Sequence, residues 1–163
     1  MLLGKILAQG ALCEDKFVTW LPSYGAEVRG GTAHCMVIIS DKEIGSPYIA
    51  KADTLIAMNA LSVVRFLSRL KKGGLLLANA SLSAEIKDRP KGALCLPFSD
   101  IALKLGNIKV ANMVALGSYL AKKNILALES VHRAIQEFAP SDKKELISIN
   151  KEALSSGWRL ING

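Results

Sequence analysis

The sequence has few of the residues that build metal centres and nucleophilic triads. Its 163 residues include three cysteines, Cys13, Cys35 and Cys95, and two histidines, His34 and His132. The cysteines are far apart, form no Cys-x-x-Cys pair and have no histidine at metal-ligand spacing. We therefore expect three reduced thiols and no metal or iron–sulfur site in this chain.

Motifs for self-contained catalysis are also missing. The sequence contains no Gly-x-Ser-x-Gly elbow, no His-Glu-x-x-His pair and no phosphate-binding P-loop. His34 falls in a predicted strand, where a lone histidine is usually structural. His132 falls in a predicted helix among Val131, Arg133 and Glu129, on a face that we expect to be solvated. No catalytic residue is predicted, and we expect the isolated chain to be inactive.

The sequence also lacks an apolar run long enough to span a bilayer and a secretory signal with its cleavage site. We expect a cytoplasmic protein without membrane association. Lys and Arg outnumber Asp and Glu by 21 to 14, a formal net charge of +7. The basic residues stand singly or in pairs, without the aromatic-rich stripe of a nucleic-acid surface. An anionic coenzyme or an acidic partner subunit therefore matches this charge better than nucleic acid.

The sequence does contain enough apolar residues for one domain with a real core. Hydrophobic residues make up 50% of the chain and charged residues 21%, which is typical of a globular protein with much apolar surface. The length predicts a single domain over residues 1–163. Short apolar runs that alternate with helical periods predict the α/β class, with three α/β/α layers, a mixed and mostly parallel sheet, and a helical C-terminal third.

Hydrophobic spacing and glycine or proline stops set the expected elements. The second helix has Leu61, Val64, Leu67 and Leu70 on a helical period, and residues 71–74 are its expected basic last turn and glycine stop. Ser99 is the expected cap of the third helix, and Gly157 the expected end of the last. The predicted helices cover residues 1–14, 60–70, 100–105, 110–122, 125–138 and 141–157, and the predicted strands cover 17–21, 32–40, 53–59, 75–79 and 93–97.

The densest functional chemistry lies between the first two predicted strands, in residues 23–32, Ser-Tyr-Gly-Ala-Glu-Val-Arg-Gly-Gly-Thr, here named the Gly-rich segment. Its glycines allow close approach of another backbone or a ligand. Glu27 and Arg29 add a carboxylate and a planar guanidinium. Two interpretations stay open: a binding or subunit-contact site, or a hairpin connection in which these two side chains only form surface pairs. The candidate site residues here are Tyr24, Gly25, Glu27, Arg29, Gly30 and Gly31.

Two asparagines follow predicted buried strands. Asn59 and Asn79 each fall at the carboxyl end of a strand, the edge where open α/β sheets bind ligands. Asn59 is a further candidate for a cofactor-binding or subunit-contact role, although asparagine is also a common helix cap. A stand-alone nucleotide- or small-molecule-binding module that uses this edge is therefore an alternative function.

Several stretches together resemble the gamma subunit of 2-oxoacid:ferredoxin oxidoreductases. The Gly-rich segment is followed, in the order and spacing of that family, by Ile39-Ser40, Ile44-Gly45-Ser46-Pro47, Asp53-Thr54-Leu55-Ile56-Ala57-Met58-Asn59 and Gly73-Gly74-Leu75-Leu76. Residues 102–107 and 111–117 are more similar to the 2-oxoglutarate branch than to the pyruvate or indolepyruvate branches. The resemblance spans nearly the whole chain.

The resemblance implies an accessory α/β/α subunit of an enzyme that oxidatively decarboxylates a 2-oxoacid to an acyl-coenzyme A and passes electrons to ferredoxin. In that family thiamine diphosphate lies between the alpha and beta subunits, and the cluster cysteines lie elsewhere. The implied partners are the alpha, beta and ferredoxin-like delta subunits, with ferredoxin as acceptor. The implied cofactors of the complex are thiamine diphosphate, iron–sulfur clusters and coenzyme A, none of them bound by this chain alone.

The family usually opens with a strand and a Gly-x-Gly-Gly-Gln-Gly turn, directly before the helix that holds residues 4–8. This sequence begins after both. We therefore expect that a sheet edge or apolar surface is left uncovered, which favours self-association of the isolated chain.

Overall fold

The computed structural model describes residues 1–24, 32–82, 89–138 and 144–163. These residues form two compact units. Unit 1 comprises Met1–Ile49 and Lys123–Lys151, and unit 2 comprises Ala50–Lys122 and Glu152–Gly163. Each unit carries its own β-structure. The expectation of a single domain stays a prediction.

Unit 1 is built around an antiparallel β-hairpin. Helix α1 (Leu2–Leu12) precedes strand β1 (Phe17–Tyr24), which pairs in full register with strand β2 (Ala33–Ser40). Helix α1 packs so closely on the hairpin that a Cβ added at Gly4 would overlap the Sγ of Cys35.

Helix α5 (Leu128–Phe138) also packs against α1. A Cβ added at Gly10 would lie 3.0 Å from Cγ2 of Val131, so the two helices leave no room for a side chain there. At the rim, the amide of Gln9 donates a 2.6 Å hydrogen bond to the Glu137 carboxylate. Buried Ile6, Leu7 and other residues of α1 form the apolar side of this packing.

Unit 2 contains a parallel three-stranded sheet in the order β3-β4-β5. Strand β3 (Ala52–Ala57) and strand β4 (Leu70–Asn79) flank helix α2 (Ala60–Phe66) and a 3-10 turn (Leu67–Arg69), so strand, helix and strand form the parallel unit that the sequence predicts. A second 3-10 turn (Ala80–Leu82) follows β4, and strand β5 (Leu94–Leu96) pairs with β4. The core of this sheet contains Ala57, Val63, Leu76 and Ala78.

Helix α3 (Phe98–Lys104), a 3-10 turn (Ile108–Val110) and helix α4 (Ala111–Lys123) complete the middle of the chain. Helix α4 is buried on most sides, as its all-round apolar sequence predicts. The last helix, α6, runs over Lys144–Asn162. The α/β class with parallel and antiparallel pairing and a helical C-terminal third is confirmed, and within the described residues the two kinds of pairing lie in separate sheets.

Several predicted boundaries are wrong. Residues 71–74 are not a helix end but the start of β4, where the pairing with β3 slips from Ala52↔Leu70 to Thr54↔Leu75. This irregularity lets the strand accommodate Gly73, whose φ is +77°. Ser99 lies inside α3 and therefore does not cap it. The helix begins at Phe98, one residue before Ser99, with Pro97 at the cap position.

Gly157 does not end the last helix, which continues to Asn162. A Cβ on Gly157 would overlap the carbonyl oxygen of Val114, and one on Gly117 would overlap the carbonyl oxygen of Leu154. The hydroxyl of Ser118 donates a 2.9 Å hydrogen bond to the Gly157 carbonyl oxygen at the same crossing. Gly157 is therefore present because the backbones of α4 and α6 touch there, and not because the chain turns.

The helical period over residues 60–70 is right, but the face is only partly right. Leu61 is 81% exposed and Val64 is 78% exposed, whereas Val63 is fully buried and Leu67 packs against the sheet core. Residues 61 and 64 and residues 63 and 67 are both spaced as neighbours on a helix. Periodicity alone therefore cannot choose between these two faces.

Candidate functional site

The β1–β2 hairpin holds the two ends of the Gly-rich segment. Ser23 pairs with His34 and Tyr24 with Ala33, and these are the last two pairs of the ladder. The strand continues past Pro22, so Ser23 and Tyr24 belong to β1 and not to the connection. The prediction that two strands flank the Gly-rich segment is confirmed, but the first strand ends at Tyr24 and not at Leu21 as predicted.

Tyr24 is the one candidate residue of this segment whose position the structure describes. It ends β1 and is 71% exposed, although it carries a large aromatic ring. An exposed aromatic side chain at a strand end is a common anchor for a ligand or a partner. Gly25, Glu27, Arg29, Gly30 and Gly31 lie outside the described residues, and their roles stay predictions.

The β1–β2 hairpin packs against helix α1 near Gly4. The indole of Trp20 and the side chains of Cys35 and Val37 surround Gly4 of α1. Trp20 pairs with Val37 across the ladder, and Cys35 pairs with Pro22, two residues before Tyr24. The end of the hairpin is therefore fixed by packing a few residues away, as a preorganised binding surface requires.

Asn59 acts as a helix cap. Its backbone is extended, and its Oδ1 accepts a 2.8 Å hydrogen bond from the Ser62 backbone N–H at the start of α2. The cap interpretation of the sequence is confirmed. Asn59 is exposed, and a ligand or subunit contact by the rest of its amide stays a prediction.

Asn79 is closed off from solvent, and both of its amide hydrogens are already used. It is fully buried at the end of β4, and its Nδ2 donates to the Met58 carbonyl oxygen at 3.2 Å and to the Ser99 Oγ at 2.8 Å. Its Oδ1 accepts a 3.3 Å hydrogen bond from the Ser99 N–H. Both amide hydrogens are thereby used to tie the end of the sheet to α3. The alternative of a nucleotide held by Asn79 is therefore wrong for this residue.

A half-buried phenol, that of Tyr119, lies near Asp53 and Thr54 of the β3 strand in unit 2. Burial raises the pKa of Tyr119 above its ordinary value, the charge of the Asp53 carboxylate raises it further, and Thr54 acts in the opposite direction. Asp53 itself is held by Lys71 at 2.7 Å. The Tyr119 phenol therefore stays protonated at neutral pH and acts as a structural group.

His132 is less solvated than its sequence neighbours suggest. Its side chain is 19% exposed, with Nδ1 3.6 Å from a carboxylate oxygen of Glu129. The expectation of a solvated face is wrong here, because α5 packs against α1 through the neighbouring residue Val131.

Within the four described ranges, no group of three or more His, Cys, Asp or Glu side chains could hold a metal ion. Cys13, Cys35 and Cys95 are free and half-buried. No helix in the described part of the chain is both long enough and apolar enough to cross a membrane. The described geometry thus defines an α/β protein whose candidate surface is a rigid hairpin end.

Comparison with known proteins identifies the family. Residues 1–160 match the family described as pyruvate ferredoxin/flavodoxin oxidoreductase. The chain belongs to this family, and the resemblance noted in the sequence is confirmed.

Relatives by sequence differ in length. Subunit KorC of 2-oxoglutarate synthase from Methanocaldococcus jannaschii is 32% identical over 158 residues, which cover 93% of this chain and 84% of KorC. Subunit VorA of ketoisovalerate oxidoreductase from Methanothermobacter thermautotrophicus is 34% identical over 155 residues, which cover 95% of this chain but 32% of VorA. The chain thus spans about a third of the length of VorA.

A solved structure has the same fold. The gamma subunit of a keto/oxoacid ferredoxin oxidoreductase from Geobacter sulfurreducens superposes with a TM-score of 0.81 at 27% identity, over 97% of this chain and 88% of that subunit. The likeness extends over nearly the full length of both chains, which agrees with the α/β class predicted from the sequence.

Proposed function

We propose that the chain is the accessory gamma subunit of a 2-oxoacid:ferredoxin oxidoreductase. The observation that carries this proposal is the match along nearly the whole length of both chains to KorC and to the Geobacter gamma subunit. In the proposed reaction a 2-oxoacid and coenzyme A give an acyl-coenzyme A and carbon dioxide, and two electrons pass to ferredoxin. Alpha, beta and ferredoxin-like delta subunits are the proposed partners.

We propose 2-oxoglutarate as the 2-oxoacid. The similarity of residues 102–107 and 111–117 to the 2-oxoglutarate branch supports this choice, and so does the agreement in length with KorC. The test is the rate of ferredoxin reduction by the assembled complex with 2-oxoglutarate, pyruvate or ketoisovalerate. A higher kcat/KM for pyruvate or ketoisovalerate would contradict the assignment of the substrate but not the subunit role.

The proposed site is the Gly-rich segment presented by the hairpin. Arg29 would pair with a phosphate or carboxylate of coenzyme A or of a catalytic subunit, and Glu27 would orient Arg29. Gly30 and Gly31 would let the partner approach the backbone closely. The exposed ring of Tyr24, at the end of β1, supports a contact role for this end of the hairpin.

This chain would supply binding and orientation in the complex. Thiamine diphosphate supplies the decarboxylation chemistry and the iron–sulfur clusters carry the electrons, and we place both groups on the other subunits. The wide spacing of the three cysteines in the sequence, without a Cys-x-x-Cys pair, supports that division.

The role of Arg29 is tested in the complex reconstituted from purified subunits. We expect Arg29→Ala to raise the KM for coenzyme A or weaken assembly by about 10- to 100-fold, the effect of losing a charge-assisted hydrogen bond. Arg133→Ala is the matched control, because Arg133 is an exposed arginine of α5 in the same unit. If Arg29→Ala leaves both assembly and coenzyme A-dependent turnover unchanged, the segment is only a structural connection.

A further inference from the structure

Helix α2 leaves two aliphatic side chains in solvent. Leu61 and Val64 are 81% and 78% exposed, more than the other large hydrophobic side chains in the described part of the chain. They are three residues apart and therefore lie on the same side of the helix. The opposite side, through Val63, is fully buried against the sheet core. The exposure is therefore not a sign of a loosely packed helix.

Positive charge lies directly beside these two side chains. Arg65 follows Val64 and is exposed, and its guanidinium stays near the helix, 6.0 Å from the centre of the Phe66 ring. Among the described residues, no carboxylate forms an ion pair with Arg65 or with Arg69 one turn further on. We name Leu61, Val64, Arg65 and Arg69 the α2 patch.

The sequence around the α2 patch contains no negative charge to neutralise it. Residues 60–72 include four Lys or Arg and no Asp or Glu. Unit 2 as a whole has twelve Lys and Arg against five Asp and Glu, whereas unit 1 has nine of each. The entire formal surplus of +7 therefore belongs to unit 2.

An apolar centre beside unpaired cations is typical of a protein–protein contact with an acidic partner. A nucleic acid would use the cations but would gain little from two exposed aliphatic side chains, since it binds through phosphates and stacking on aromatic rings. The charge and the apolar area together therefore favour a protein surface with carboxylates around an apolar centre.

We propose that the α2 patch docks onto an acidic surface of another subunit of the oxidoreductase complex. This inference rests on the proposed function as a gamma subunit. It adds which helix makes the contact and the chemistry of the surface that it meets. The matching region is 32% of VorA, so in that relative the corresponding region is part of a longer chain.

The test compares two double variants on two short helices of unit 2. Each replaces an exposed aliphatic residue by serine and the exposed basic residue after it by glutamate. Val64→Ser/Arg65→Glu alters the patch. Leu103→Ser/Lys104→Glu alters α3, where Leu103 is 59% exposed and Lys104 is also exposed. Each variant is co-expressed with the other subunits of the enzyme, one of which carries an affinity tag. Each variant is also purified alone, and titration calorimetry measures its dissociation constant for the separately purified tagged subunits.

We expect Val64→Ser/Arg65→Glu to weaken binding at least tenfold and Leu103→Ser/Lys104→Glu to change it by less than about twofold. Raising the salt concentration should weaken binding of the wild-type chain more than binding of the patch variant. Circular dichroism and melting temperature establish that both variants are folded. The single variant Leu61→Ser keeps every charge. We expect it to weaken binding too, because it removes apolar contact area from the patch.

Other outcomes separate the two proposals. If the wild-type chain binds the tagged subunits and the patch variants bind as tightly, the α2 patch is not the contact and the gamma-subunit function stands. If the wild-type chain binds none of them, the proposed function itself fails. If the patch variants retain assembly but lose binding to a labelled DNA duplex that the wild-type chain binds, the patch is a polyanion site and the inference is wrong.

Discussion

At the scale of single residues, the structure separates polar groups that are fully used from those that face solvent. Asn59 and Asn79 look equivalent in the sequence, since each follows a buried strand. One caps a helix at the surface, and the other is buried with both amide hydrogens bonded. The difference depends on α3, which places Ser99 against Asn79 from twenty positions away in the chain. Local sequence does not contain that contact.

Tyr119 makes a residue-scale prediction about pH. Its pKa is raised in the folded state, so its contribution to stability is complete below the unfolded pKa of about 10 and is lost as the pH rises towards the folded pKa. We expect Tyr119→Phe to flatten the decline of the unfolding free energy above pH 10, measured by urea denaturation at several pH values.

Tyr48→Phe is the control for this experiment, because Tyr48 is 56% exposed. It should leave the decline above pH 10 unchanged. A Tyr119→Phe protein whose unfolding free energy falls in parallel with the wild type would show that ionisation of this phenol has no effect on stability.

At the scale of helices and strands, the sequence predicts which elements exist far better than where they end or which face is buried. Apolar runs reveal each of the five strands found in the described residues. At residues 71–74 and at Gly157 the glycine signal for a helix end is wrong for different reasons: Gly73 lies in an irregular stretch of β4, and Gly157 lets the backbone of α4 approach α6. Leu61 and Val64 were ambiguous for another reason, because α2 has apolar residues on two faces.

The crossing of α4 and α6 gives a prediction at this scale. Gly117→Ala places a methyl group on the carbonyl oxygen of Leu154, which cannot move without displacing the helix. We expect a loss of at least about 1–3 kcal/mol of unfolding free energy, the usual effect of overpacking. Thermal and urea denaturation measure it.

Gly45→Ala is the comparison for that substitution, since a Cβ there meets no atom within 4 Å and the backbone lies outside the left-handed region. It should be neutral or slightly stabilising, because alanine restricts the unfolded chain more than glycine does. Equal stability of the two variants would mean that the helices separate at the crossing at no cost.

At the scale of the whole molecule, the net charge is informative only when its distribution between the two units is known. From composition, +7 is a weak signal for any anionic partner. With the chain divided into its units, the surplus falls on unit 2 and unit 1 is formally neutral. That division could not be read from the sequence, because each unit combines two separate stretches of the chain. For the Gly-rich segment, in contrast, the sequence alone identified the stretch and the two strands that hold it.

This uneven charge predicts unequal effects from two substitutions that change the net charge equally. Lys72→Glu in unit 2 and Lys42→Glu in unit 1 both replace an exposed lysine. We expect Lys72→Glu to lower the salt concentration at which the chain elutes from heparin by more than Lys42→Glu does, because the retained surface carries the local surplus. Equal shifts would indicate that only the total charge matters.

The pairing of Tyr24 with Ala33 at the end of the β1–β2 ladder has an evolutionary consequence. The ladder is complete up to both ends of the Gly-rich segment and is packed on α1 behind them. Selection can therefore rewrite the intervening residues without re-optimising the scaffold. If the segment makes the proposed contact, a lineage could change its partner subunit by exchanging one short stretch of coding sequence.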